Sequence, residues 1–203
     1  MVAKKQKIKG EEDSISKLIC EEIKNRKLNF LETLKIEPQK HIFIGTTVGM
    51  FKGKLRLLFQ SAKQDIVIYY HSKNSDMRIY EDGFYMRYRA SFTDQDFLVP
   101  IVIYEVKYKQ VTTHQVRQYS EEARMIKTIF PFCQYNLLLL RVENDSTDVN
   151  KVYMSSKSFD SVVSISYNKA SKIVKELEPG LRAHIEYLKK HDKFFKLNSI
   201  LFI

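Results

Sequence analysis

Leu137, Leu138, Leu139 and Leu140 follow one another with no polar residue between them. Successive side chains of a strand point to opposite faces, so a run that is apolar at every position suits a strand buried on both sides. Such a strand needs cover above and below, and the chain before it supplies a partner strand and a helix. Leu98–Tyr108 alternates after Pro100 and reads as a central strand. Thr112 or Thr113 then caps a helix reaching about Ile129, with Val116, Tyr119, Ala123, Ile126 and Ile129 on its inner face and Pro131 closing it.

Upstream, Asp13 or Ser14 is placed to cap a helix running to about Leu34, with Ile15, Leu18, Ile19, Ile23, Phe30 and Leu34 at helical spacing. Glu22 falls on that apolar face, whereas Glu21 is turned away from it. Pro38 ends the region, and three runs of β character follow: His41–Ile44, Leu55–Phe59 and Ile66–Tyr70. Met77–Glu81 and Phe84–Tyr88 flank Asp82-Gly83, the two-residue signal of a tight hairpin. Val152–Met154 and Val162–Ile165 read as short strands. Ala170 to Leu177 reads as one helix, and Leu181 to Leu188 as another after Pro179-Gly180. No internal repeat or Gly/Ser linker divides the chain. The expectation is one domain over 1–203: a basic arm over 1–10, an α/β core over 13–143 with a mixed central sheet, and an extension over 144–203.

The formal net charge of +10 points to a polyanionic partner, nucleic acid ahead of a membrane surface, with simple solubility as the plainer reading. Two cysteines, Cys20 and Cys133, are too few for a zinc knuckle, a Cys-ligated iron–sulfur cluster or a disulfide scaffold, which makes the reducing cytoplasm the default compartment. The first ten residues carry four lysines and no apolar segment of the secretory kind, and no 18-residue apolar stretch offers a membrane span. The five histidines are scattered. Gly49, Gly53 and Lys54 imitate a phosphate loop one residue short, with Leu55 where a magnesium-holding hydroxyl is required, so a Walker motif is excluded.

What remains is Val102-Ile103-Tyr104-Glu105-Val106-Lys107-Tyr108. Glu105 and Lys107, two residues apart, share a strand face. An ion pair near an exposed strand end would account for them. So would a site, because burying a carboxylate and an ammonium in a sheet is otherwise costly. Asp65 opens the strand Ile66–Tyr70, the helix after Lys107 carries Gln115 and Tyr119, and Glu22 sits on the first helix. Carboxylates with a lysine, and no clustered His or Cys, form a hard donor set suited to magnesium or manganese.

Asp65, then Glu105-Val106-Lys107, then Gln115-Val116-Arg117-Gln118-Tyr119 resembles the PD-(D/E)XK, or restriction-endonuclease-like, nuclease superfamily, the last segment resembling the Gln-x-x-x-Tyr motif of its RecB-type members. The order helix, strands, Glu-x-Lys strand, helix, strand is similar to that family's αβββαβ core, here with an inserted β-hairpin and a C-terminal helical extension. Gln64 stands where the motif has proline.

The resemblance implies Mg²⁺- or Mn²⁺-dependent hydrolysis of a DNA phosphodiester, with RNA the less favoured reading of the substrate. Asp65, Glu105 and the Val106 carbonyl would bind the metal, with Glu22 completing its shell or pairing with a neighbour. Lys107 would orient or deprotonate the attacking water. Gln115 would orient the nucleophile or contact the strand, and Tyr119 would stack beside it or simply fill core. Lys54, Arg56, Arg87 and Arg89 would contact phosphates. Cutting both strands of a duplex would make a two-fold dimer natural. The alternative is a non-catalytic nucleic-acid-binding or assembly subunit that keeps the fold.

Overall fold

In a computed structural model the described residues are 2–32, 34–51, 54–70, 76–81, 84–89, 99–109, 111–141, 149–155, 157–167 and 169–190. Side chains are described over 10–32, 34–45, 60–69, 99–109, 111–141, 150–155, 157–167 and 169–190, and at Met50.

The elements run α1 (Val2–Asn25), β1 (Leu34–Phe51), β2 (Lys54–Tyr70), β3 (Asp76–Glu81), β4 (Phe84–Arg89), β5 (Val99–Tyr108), α2 (Thr113–Ile129), β6 (Gln134–Arg141), α3 (Val149–Ser155), β7 (Ser161–Ser166) and α4 (Ala170–Lys190). Five strands form one open mixed sheet in the order β1-β2-β5-β6-β7. The pairs β1·β2 and β2·β5 are antiparallel, whereas β5·β6 and β6·β7 are parallel. The parallel step from β5 to β6 is carried by α2, as a crossover must be. β3 and β4 form a separate two-stranded antiparallel sheet with Glu81 opposite Phe84, and the expected turn residues Asp82-Gly83 lie outside the described residues.

The four-leucine run lies in β6 with every side chain at most 2% exposed, because each face of the sheet has its own apolar cover. Leu138 and Leu140 join Ile15, Ile19 and Ile23 of α1 and Ile173, Val174 and Ile185 of α4 on one side. Leu137 and Leu139 meet Val116 of α2 and Val152 of α3 on the other.

Several boundaries differ from the sequence expectation, each for a physical reason. α1 ends at Asn25, because Lys27 adopts a left-handed φ of 46° that no helix continues through. Phe30 then packs from a short 3-10 turn, Asn29–Leu31, and Leu34 opens β1. At the other end the helical backbone begins at Val2, upstream of the Asp13 or Ser14 cap. Pro38 lies inside β1, an edge strand, where a missing N–H costs no ladder bond on the open side. The expected runs merge into two long strands, since β1 and β2 stay paired from Leu34↔Tyr70 to Phe51↔Lys54 with one bulge between Phe43 and Gly45.

Pro100 is accommodated in central β5 by a register shift against β2 between Ile68 and Tyr69. Val152–Met154 is helical rather than a strand: Val152 alone is buried while Tyr153 and Met154 face outward, one contact per turn. Residues 170–190 form one helix through Pro179, because Ile173, Val174, Leu177, Leu181, Ile185 and Leu188 keep an unbroken helical phase against the core. The C-terminal part is therefore more than helical, since β7 adds a strand to the sheet.

Candidate active site at the divergence of two strands

The β2·β5 ladder runs from Tyr70↔Val99 to Ile66↔Tyr104 and stops there, while β2 continues towards Lys54 paired only with β1. Asp65 is the first residue past the last paired position. Its Oδ2 accepts the Val106 N–H at 2.9 Å, so a side chain takes over the bond that the ladder no longer makes. Its Oδ1 accepts Gln39 Nε2 of β1, also at 2.9 Å.

Glu105 and Lys107 leave β5 on the face covered by α2, as their spacing requires. They are 4% and 5% exposed, and Lys107 Nζ lies 2.8 Å from Glu105 Oε1. The same ammonium is 3.6 Å from Asp65 Oδ2 and 3.6 Å from Glu12 Oε2 of α1. Glu12 is seated by its other oxygen, which accepts the Tyr108 N–H at 3.0 Å, while neighbouring Glu11 pairs with Lys109 at 2.7 Å. From the α2 side the Tyr119 ring lies under Lys107, 4.4 Å from ammonium to centroid. Three carboxylates thus surround one ammonium, and with all of them ionised the cluster carries an excess of negative charge.

The electrostatics follow from that excess. Burial, helped by Asp65 and Glu122, pushes the Glu105 carboxyl up to about 8 even though Lys107 opposes the shift. Burial also raises Glu12. Lys107 is held well above its usual value, because Glu105, Asp65 and Glu12 outweigh its own desolvation. The ammonium is therefore firmly charged, and a proton on Glu105 offsets part of the surplus negative charge.

Behind the cluster a polar chain runs from the buried Tyr135 and Gln64 out to the exposed Gln118. Tyr135 Oη of β6 donates to Gln64 Oε1, Gln64 Nε2 donates to Glu122 Oε2 of α2 at 3.4 Å, and Gln118 Nε2 reaches Glu122 Oε1 at 3.5 Å. Gln64 and Tyr135 are fully buried. Gln64 is thus tethered at both ends immediately before Asp65.

The residues singled out from the sequence divide into three groups. Asp65, Glu105, Val106, Lys107 and Tyr119 are brought together, Val106 meeting Asp65 through its N–H where the expectation named its carbonyl. Glu22 is elsewhere: its Oε1 accepts from Arg26 at 3.0 Å, and Arg26 also reaches Glu178 and the Ser171 carbonyl of α4, so this acid serves the α1–α4 contact. The first-helix acid at the cluster is Glu12, ten residues earlier, where a helix start placed at Asp13 leaves it out. Gln115 is spent as a cap: its N–H donates to Thr112 Oγ1 and its Oε1 accepts the Thr112 N–H. Lys54 and Arg56 lie on β2, and Arg87 and Arg89 on β4, with their side chains outside the described residues.

Sequence reasoning missed Gln39, Gln64 and Tyr135 along with Glu12. Gln39 and Gln64 lie either side of a register in β1 and β2 that no motif announces, and Tyr135 looks like any strand aromatic. Among the described residues no three His, Cys, Asp or Glu side chains converge closely enough to hold a metal ion as they stand, and none of the helices is long and apolar enough to cross a membrane. No protein-family model matches the chain, and no curated protein matches it.

Proposed function

We propose that the chain is a Mg²⁺- or Mn²⁺-dependent DNA endonuclease of the restriction-endonuclease-like kind. The observation that carries this reading is the meeting of Asp65, Glu105 and Lys107 where β2 and β5 part. Where two strands part, the ladder no longer fills the gap between them, so charged side chains beside it can face an incoming ligand. The order α1, antiparallel β1-β2-β5, α2 and parallel β6 supports the same assignment.

The donor set fits a hard divalent cation. It contains only oxygens, it carries surplus negative charge, and one carboxyl retains a proton near neutrality that a cation would displace. Asp65 and Glu105 would hold the ion with the Val106 carbonyl. Bound there, it would acidify a water and offset charge developing on the phosphate.

The chain's own residues do the rest. Lys107, kept charged by its neighbours, stabilises the crowded phosphate and orients the water. Tyr119 limits where the ammonium can move. Glu12 competes with the substrate phosphate for Lys107 and so sets how easily it turns outward. Gln115 acts through the cap that positions α2 rather than on the nucleophile. The net charge of +10 supplies sequence-independent attraction to the phosphate backbone, with Lys54, Arg56, Arg87 and Arg89 as contacts. A two-fold dimer would serve if both strands of a duplex are cut.

One observation favours the other reading, a nucleic-acid-binding subunit without catalysis: Lys107 already occupies the centre of the carboxylates, so the cluster can satisfy itself without a metal. Supercoiled plasmid incubated with Mg²⁺ separates the two. Nicking or linearisation that EDTA abolishes supports the nuclease. Retarded plasmid with no strand breaks in either Mg²⁺ or Mn²⁺ would replace it with the binding subunit.

A further inference from the structure

Gln39 sits inside β1 with a φ of 57°, in the left-handed region that a side chain other than Gly, Asn or Asp rarely enters. Its neighbours pair normally with β2, Pro38 with Ile66 and Lys40 with Gln64, so the distortion is confined to one residue, beside Asp65. Its amide nitrogen donates to Asp65 Oδ1 at 2.9 Å. Asp65 Oδ2 is already bonded to the Val106 N–H. The two bonds hold the carboxylate from opposite strands, β1 on one side and β5 on the other, across the point where the sheet opens.

A strained conformation persists only where the surroundings impose it, and it clusters where geometry serves a site. Nothing about β1 as an edge strand requires the turn-like φ at this position, since a regular extended residue would keep the ladder going. What the conformation does achieve is delivery of an amide donor to the far side of Asp65.

We propose that Gln39 is a positioning residue for Asp65: its strained backbone aims its side-chain amide so that the carboxylate stays fixed towards Val106 and Lys107. This rests on the nuclease reading for what Asp65 does, and not for how Asp65 is held. Gln39 touches no reacting atom and acts only through Asp65.

Two variants separate the amide from the strain. Gln39→Gly removes both, because glycine is at ease at positive φ. Gln39→Met removes the donor and keeps the strain. Both are measured first in metal-free protein without DNA. Exchange of the Val106 amide is expected to speed up by ~10-fold or more in each variant, the effect of freeing its acceptor, while the Leu138 amide in the sheet core keeps its wild-type rate. The Tm of Gln39→Gly is expected at or above that of wild type, with Gln39→Met below it. Unchanged Val106 exchange in both variants would overturn the proposal. So would parallel loosening of Val106 and Leu138, which would mean that Gln39 merely supports the fold.

Cleavage is then read separately. A fall in kcat of ~10-fold or more with KM little changed, in a Gln39→Gly protein as stable as wild type, ties the positioning to catalysis. Unchanged kcat in that protein would overturn the catalytic part of the claim. If the wild type itself fails to cut, the nuclease reading falls while the exchange measurement still decides whether Gln39 holds Asp65.

Discussion

Lys107 Nζ and Glu105 Oε1 lie 2.8 Å apart, two residues along one strand, with both side chains almost wholly out of solvent. A pair so deeply buried costs more to desolvate than an exposed pair, and removing either partner leaves a stranded charge or a changed proton balance. The pair therefore reports on the site through both chemistry and stability.

Glu105→Gln should leave DNA binding largely intact and reduce Mg²⁺-dependent cleavage by ~10²–10³-fold, the usual cost of losing one electrostatic group at a reacting centre. Initial rates on plasmid, with binding measured by fluorescence anisotropy in EDTA, test this. Wild-type turnover in the variant would remove Glu105 from the mechanism.

Lys107→Met should also abolish most cleavage, yet tighten binding of Mn²⁺. Without the ammonium the three carboxylates keep their mutual repulsion, which a divalent cation relieves better than a proton does. Calorimetric titration of wild type and variant compares the affinities. Weaker Mn²⁺ binding in the variant would show that Lys107 supports the metal site instead of competing with it.

Glu105 also makes stability depend on pH. Its folded-state pKa of about 8 lies above the ordinary value of 4.5, so the folded form holds the proton more tightly than the unfolded form. The sign follows by linkage: this contribution is fully present below about pH 4.5 and is lost progressively as pH rises through about 8. Metal-free wild type should therefore lose Tm between about pH 4.5 and 8 more steeply than Glu105→Gln, which carries no titrating carboxyl there, and the difference should level off above about 8. Thermal melts across that window check it, and equal slopes would count against the raised carboxyl.

Glu12→Gln and Glu22→Ala should part company. Glu12 touches Lys107, so Glu12→Gln should change the cleavage rate several-fold with a small change in Tm. Glu22→Ala loses only a partly exposed bond to Arg26, worth ~1 kcal/mol or less, and should leave cleavage alone. Loss of activity in Glu22→Ala at unchanged Tm would restore the role that its helical phase suggested.

The readable part of this fold is the part governed by period. β6 announces itself by a run that is apolar at every position, β5 by its alternation after Pro100, α2 by its apolar spacing and a threonine cap, and the β3–β4 hairpin by the Asp82-Gly83 signal. Glu105 and Lys107 were legible because same-face spacing depends on sequence alone, and Asp65 because an acid opening the apolar run Ile66–Tyr70 stands out and fits the resemblance. Glu12 was not, since it lies beyond the apolar stripe that marks α1, and its partner Tyr108 is 96 residues away. Gln39 and Gln64 escaped for a related reason. Their roles depend on the register of β1 against β2 and on where β2 leaves β5, which only the assembled sheet determines. Pro179 misled in the opposite direction, because an unbroken apolar phase against α1 and the sheet outweighs one missing helix bond.

The tie between Glu12 and the Tyr108 amide has a kinetic meaning. Its loop spans nearly half the chain, and contacts of such sequence separation form late, after local helices and the β1–β2 ribbon have had time to gather. During refolding the sheet should be assembled before the third carboxylate reaches the ammonium. Regained function would then lag behind regained secondary structure, and the time between the two would measure the docking of a single helix.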